Sequence, residues 1–274
     1  MNKAIRAILI VAIAVFLCIF LYSGYRLLST LHEYKEADRY YDSQVSQYAS
    51  FHEDAAPQAG SAQGSNTAYT PGAAGAEDPL VALQEISPRV IDFPALIASC
   101  PDVKGWLYSP DTVIDYPVVQ GKDNDYYLHR FMDGSYNPNG TLFIDFRCAG
   151  DFSSPHTLIY GHHMQNGSMF ASLEGYRQQA YYDEHPIMYL NTPEGNFRID
   201  LFSAFVTFPD SRVYTVAFEN EIEFEQWYSL MKSYSDFQCS IELTPQDQIV
   251  TFSTCVYDFD DARYVVLGKL VPIG

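Results

Sequence analysis

Basic residues are scarce in this chain: 16 lysines and arginines stand against 34 aspartates and glutamates over 274 residues, a formal net charge of -18. Nucleic-acid binding is dominated by phosphate neutralisation, so this balance argues against that class of partner. Cysteine is also scarce, with five residues. None forms a CxxC pair and their spacing makes no dense framework, which argues against a zinc knuckle or a disulfide scaffold and implies no metal. The spacings leave open whether Cys100, Cys148 and Cys239 pair. No internal repeat is visible. Charge is missing altogether from Ala7 to Tyr25, an apolar run that at helical rise nearly crosses a ~30 Å hydrocarbon core. A cleaved signal peptide has a shorter apolar region followed by small residues, and "CIFLYSGY" offers no such site. Residues 1–28 are therefore expected to be a cytoplasmic stub and an uncleaved membrane anchor. Lys3 and Arg6 should stay inside, leaving everything after Arg26 extracellular. Large apolar groups are nearly absent from 54–79, "DAAPQAGSAQGSNTAYTPGAAGAEDP". Such a segment buries too little to offset the entropy of ordering and should be a flexible linker.

What is present points to a core. The chain is 47% hydrophobic and 15% aromatic, with 22 tyrosines, a residue that suits strands and exposed clefts. Residues 29–53 read as a polar, helical stalk, because Leu31, Tyr34, Tyr41, Val45 and Tyr48 recur at roughly helical spacing. The globular domain is expected over 80–274. Short strand-like runs lie at 105–108, 112–120, 140–146, 156–161, 187–192, 197–208, 248–254 and 263–273, punctuated by Gly, Pro, Asn and Asp. About eight strands over such a length favour one mostly-β barrel or sandwich. Two helical patterns interrupt them. Residues 168–185 should hold short helices, and 219–237 places Ile222, Trp227, Leu230 and Tyr234 near one face, with glutamates in the first turns.

One cysteine has a suggestive context. In "IVTFSTCVYDFDDARYVVLGKL", Cys255 ends an apolar run and Arg263 opens the next. Pairing of 249–255 with 263–271 as a hairpin would set the two opposite each other across the loop 256–262. A thiol of ordinary pKa, ~8.5, is only a few per cent thiolate near neutrality, so catalysis needs a basic or cationic neighbour. His162 and His163 in "LIYGHHM" follow an apolar strand whose Gly161 permits a turn. Taken alone, each residue has a plainer reading. A cysteine at a strand end can be a small apolar filler, a histidine doublet can be a polar turn, and Arg263 can neutralise the acidic run at 258–261.

The wording around these residues is more specific. "GWLYSPDTVIDYPVVQGKDNDYYL", "GTLFIDFR", "TLIYGHHMQNGSMFASLEGY" and "TFSTCVYDFDDARYVVLGKL" together resemble the sortases, specifically class B, in order and spacing from about Ile86 onward. The family's TLxTC motif stands here as "TFSTC", with Phe252 replacing the usual leucine. The resemblance implies an eight-stranded sortase barrel with a helix inserted between its sixth and seventh strands, which fits 219–237. It implies an extracellular cysteine transpeptidase with Cys255 as nucleophile, His162 as acid/base and Arg263 as the third catalytic residue. Asn124, Leu128 and Ser253 correspond to substrate-groove positions, and Tyr214 is a looser match because its loop varies. Some class B enzymes have Asn where this chain has His163. If His162 and His163 extend from one strand end they should point to opposite sides, turning His163 away from Cys255.

The implied partners are surface proteins bearing a C-terminal sorting motif and an amine of a peptidoglycan precursor or cross-bridge, with no cofactor. A pilin-polymerising class C sortase is the second enzymatic reading, although 54–79 shows no lid motif. A hydrolytic cysteine peptidase and a non-catalytic, membrane-tethered binding domain are the others.

Overall fold

The computed structural model describes residues 3–52 and 86–274; the linker expected at 54–79 lies outside them. The chain divides into two units, the first through Asp42 and the second from Ser43 to Gly274. The first consists of helix α1 (Lys3–Tyr48), whose last residues belong to the second. From Ile10 to Leu28 its large apolar side chains are exposed, Phe16, Leu17, Phe20 and Leu21 among them, whereas Ala37 and Tyr41 further along are buried. Helix α1 is the single helix among the described residues long and apolar enough to cross a membrane.

In the second unit, eight strands close into a barrel in the order β10-β8-β7-β3-β4-β5-β6-β9. They are β3 (Val103–Tyr108), β4 (Asp115–Val119), β5 (Leu142–Ile144), β6 (His156–Tyr160), β7 (Ile187–Asn191), β8 (Asn196–Thr207), β9 (Gln248–Cys255) and β10 (Arg263–Ile273). Each falls on one of the eight runs read from the sequence. Closure removes every free sheet edge from the barrel. Neighbours are antiparallel except β4 with β5 and β6 with β9. The β6/β9 pair matters most for function, since parallel strands end at the same rim.

Outside the barrel, β1 (Ala49–Phe51) pairs antiparallel with β2 (Arg89–Ile91), followed by the short helix α2 (Phe93–Ser99). Arg89 ties this pair to the barrel: it is ion-paired to Asp115 and lies over the rings of Phe51 at 3.8 Å and Tyr108 at 4.9 Å. Val45, Tyr48 and Ala49 pack in one cluster with Leu96, Trp106 and Val119. Packing thus begins well before Leu80, and the end of the segment read as a stalk is part of the folded unit. The reason lies in Tyr48, which packs in one cluster with Leu96 and Trp106, and in the β1 backbone, which pairs with β2.

Between β6 and β7 lie a 3₁₀ turn at Ala171–Arg177 and helix α3 (Gln179–Glu184), as expected of 168–185. Helix α4 (Glu221–Ser233) fills the insertion between the sixth and seventh barrel strands. Asn220 caps it by accepting from Glu223 N at 3.0 Å, and Glu223 reaches back to Glu219 N at 2.7 Å. The buried stripe is Phe224, Trp227 and Met231. Ile222 and Tyr234, read from the sequence as part of that stripe, are 66% and 52% exposed. α4 packs on β8, β9 and β10 through Phe202, Ile249, Val265 and Leu267.

The question of a disulfide resolves simply. All five cysteines are free; the Cys100, Cys148 and Cys239 sulfurs lie near Tyr127 Oη, His156 O and Phe202 O.

Candidate active site

Strand register assembles the site. In the β9/β10 hairpin Cys255 is the direct partner of Arg263. In the parallel β6/β9 pair Tyr160 is level with Ser253, and Gly161 N donates to Ser253 O at 3.1 Å. Two residues further along each chain stand His162 and Cys255, so both arrive at one rim of the barrel. Gly161 serves this approach by being small. A methyl group there would collide with Leu142 and Phe170, so room for packing, not turn geometry, is what the glycine supplies.

That rim opens into a groove of about 830 Å³. Cys255, His162, Arg263, Asn124, Leu128, Tyr214 and Ser253, all seven residues singled out from the sequence, line it. His162 Nε2 lies 2.7 Å from Leu128 O, a contact only a protonated nitrogen can make, which leaves Nδ1 as the nitrogen free to exchange a proton. A backbone carbonyl here does the orienting that a carboxylate does in a serine-protease triad. Burial holds His162 below its ordinary pKa; the bond to Leu128 O opposes this, and the neighbouring His129 adds to the lowering. His129 stacks on His162 with centroids 5.3 Å apart and planes at 19°. Arg263 donates through Nη1 to the carbonyls of Asp261 at 2.9 Å and Ala262 at 3.1 Å, so its own turn orients the guanidinium.

The opposite wall is a polar network. Asp145, fully buried, accepts from Arg147 through Nε and Nη2, from Tyr160 Oη at 2.9 Å and from Asn124 Nδ2 at 3.2 Å. Burial alone would raise its pKa, but the fork of Arg147 and the Tyr160 bond hold it below the usual carboxylate range. Asn124 Oδ1 also accepts from Phe146 N at 3.1 Å, so this side chain is committed to shaping the wall. Tyr214 Oη and Ser253 Oγ are 2.9 Å apart. Burial raises the Tyr214 pKa, against the opposing pull of that bond and of Arg263. Beneath the wall His156 is completely buried: Nδ1 lies 2.6 Å from Thr215 O and Nε2 2.7 Å from Thr251 Oγ1. Thr254 also borders the groove, but its hydroxyl is buried and has no hydrogen-bond partner among the described residues.

His163 lies outside the groove lining but does not turn away from Cys255. Its Nδ1 is 3.1 Å from the Cys255 carbonyl. The chain has left strand geometry after Tyr160, so the alternation of sides expected for a strand no longer holds. Asp258 is also not a bare loop residue: its partner is Arg177, not Arg263. Sequence reasoning missed His129, Asp145, Tyr160 and His156. Position alone could have flagged His129, which directly follows the "DNDYYL" segment; the Leu128 carbonyl carries no sequence signal.

A model of the sortase domain family matches residues 107–271. Sortase B of Listeria monocytogenes serovar 1/2a is 36% identical over 172 residues, covering 62% of this chain and 70% of the relative. Sortase B of Staphylococcus aureus strain NCTC 8325 is 32% identical over 175 residues, 63% of this chain and 72% of the relative. A solved Staphylococcus aureus sortase B–substrate complex superposes with a TM-score of 0.64 at 31% identity, covering 66% of this chain and 85% of that one.

Proposed function

Since the chain belongs to the sortase family, as a class B cysteine transpeptidase of surface-protein anchoring, we propose that Cys255 is its nucleophile, His162 its acid/base and Arg263 its electrostatic support. The observation that carries this reading is the convergence of the three on one groove, by strand register, with Asn124, Leu128, Tyr214 and Ser253 around them.

The reaction has two halves. The Cys255 thiolate attacks the carbonyl carbon of the scissile peptide bond in a C-terminal sorting motif. The tetrahedral oxyanion is supported by Arg263 and backbone N–H groups. As the C–N bond breaks, protonated His162 gives its proton to the leaving amine, and the acyl group remains as a thioester on Cys255. An acceptor amine of peptidoglycan then attacks the thioester carbonyl, and His162 takes the proton that this amine loses. The C–S bond breaks and the thiolate is restored. Burial lowers the His162 pKa, which disfavours the imidazolium that must give its proton to the leaving amine.

Residues 10–48 supply the apolar helix, and Lys3 and Arg6 precede its uncharged run. The reading is an anchor with its N-terminus inside and the catalytic unit outside, where substrate and wall acceptor both arrive. A tether at 54–79 would raise the effective concentration of enzyme at that face.

The test is a panel of fluorogenic sorting peptides incubated with the protein, with and without an amine-bearing acceptor peptide, alongside Cys255→Ala. Cleavage with ligated product in the presence of amine, lost in the variant, is expected. Cleavage that persists in Cys255→Ala, or none with any peptide, would sink the assignment.

A further inference from the structure

The loop 256–262 joins Cys255 to Arg263, so whatever fixes this loop fixes the spacing of the two. Val256 N donates to Ala262 O at 3.0 Å and closes its base, but its tip is held from outside the hairpin. Arg177, at the end of the 171–177 turn, forks onto Asp258, with Nη1 to Oδ1 at 3.0 Å and Nη2 to Oδ2 at 2.6 Å. The same guanidinium lies 5.0 Å over the ring of Tyr264, the fully buried neighbour of Arg263. Arg177 Nη2 is also 3.1 Å from Glu174 Oε1, and Glu174 Oε2 is 3.6 Å from His163 Nε2. The other nitrogen of His163 reaches the Cys255 carbonyl at 3.1 Å. A continuous chain of contacts therefore runs from the main chain of Cys255, through His163, Glu174 and Arg177, to the tip of the loop at Asp258.

We propose that His163 is a positioning residue for Cys255, acting with Glu174 and the Arg177–Asp258 pair to fix both ends of the loop between the nucleophile and Arg263. The proposal rests on the reading of Cys255 as nucleophile. The carbonyl accepts, so Nδ1 must carry the proton, and Glu174 stands beside Nε2 on the other edge of the ring. Exposed ion pairs contribute little to folding, about 0–1 kcal/mol. Misplacement of reacting groups by about 1 Å, in contrast, can lower a rate by about 10²-fold. The chain of contacts should therefore be felt in kcat far more than in stability.

The experiment uses the full-length protein in detergent, a cleaved sorting peptide and an amine acceptor. It measures kcat and KM separately, together with the rate of Cys255 alkylation by iodoacetamide followed by peptide mass mapping. His163→Leu is expected to lose about tenfold in kcat with KM within about twofold. His163→Asn, whose amide N–H can replace Nδ1–H at the Cys255 carbonyl, should recover most of that loss. Arg177→Leu and Asp258→Leu should each lower kcat, and the double variant should lose little more than Arg177→Leu alone, since the two side chains act through one contact. Alkylation of Cys255 should follow the same order. Wild-type kcat in His163→Leu, no rescue by His163→Asn, or fully additive losses in the Arg177/Asp258 double variant would overturn the proposal while leaving the nucleophile in place. Turnover that survives Cys255→Ala would overturn the underlying reading instead.

Discussion

With both ring nitrogens of His156 occupied, only one neutral tautomer fits: Nδ1–H donates to Thr215 O and Nε2 accepts from the Thr251 hydroxyl. Burial pushes its pKa down from the ordinary 6.5 to about 4, the Thr215 carbonyl opposing only in part. Between those two values the unfolded chain binds a proton that the folded chain refuses, so stability must rise with pH across this window. The contribution is whole above pH ~6.5 and disappears as pH falls toward ~4, with a ceiling of about 3 kcal/mol at ~1.4 kcal/mol per unit. His156→Gln removes the titration. Urea midpoints recorded from pH 4 to 7.5 should show the wild type ahead at the upper end and the gap closing on acidification. Parallel curves would mean that His156 does not carry this dependence. Little of this was legible in the sequence, where His156 opens a strand run like any polar end residue. Cys255, His162 and Arg263 were legible because motif wording preserves residue types, while the carbonyls of Leu128, Thr215 and Cys255 that orient three imidazoles belong to every residue alike.

At the scale of elements, all eight barrel strands could be placed from alternation and turn residues, and the β9/β10 hairpin from the loop at 256–262. The parallel pairing of β6 with β9 could not, because nothing local to either strand encodes a partner some ninety positions away. The buried face of α4 was also misjudged. Ile222 and Tyr234 are apolar enough to join the stripe, but Phe224 and Met231 are the residues buried beside Trp227. The consequence reaches the groove. Trp227, fully buried, donates from Nε1 to Arg212 O at 2.9 Å and packs its ring edge-on to His156 at 5.0 Å. Arg212, Tyr214 and Thr215 form one wall of the groove, so α4 braces that wall from behind. Trp227→Phe removes the donor and some volume, at a cost of about 1–3 kcal/mol. A loosened wall should raise KM for the sorting peptide severalfold and leave kcat near wild type, since Cys255, His162 and Arg263 sit on other elements. A fall in kcat at constant KM would argue that α4 acts on the catalytic residues instead of the wall.

For the whole molecule, the boundary of the folded unit becomes the question. Composition alone would place it after 54–79, where large apolar groups are few; packing places it at Ser43. Val45, Tyr48 and Ala49 fill the cluster around Leu96 and Trp106, and β1 gives β2 its hydrogen-bonded partner. The two placements predict different behaviour on truncation. A chain beginning at Ser43 keeps every contact of the second unit and should melt within a degree or two of a longer one. A chain beginning at Ile86 exposes the surface under Val45 and Tyr48 and leaves the Arg89–Ile91 backbone unpaired. At about 1.5–3 kcal/mol for each large side chain lost from a buried site, less what the surface recovers by relaxing, the deficit is about 3 kcal/mol. For a domain of this size that corresponds to a fall in Tm on the order of 5–10 °C. Both truncated chains keep Cys255, His162 and Arg263, so their kcat/KM on a soluble peptide at 25 °C should stay close to each other. Thermal melts followed by circular dichroism decide the matter: equal Tm values for the two would return residues 43–51 to the role of a solvated stalk.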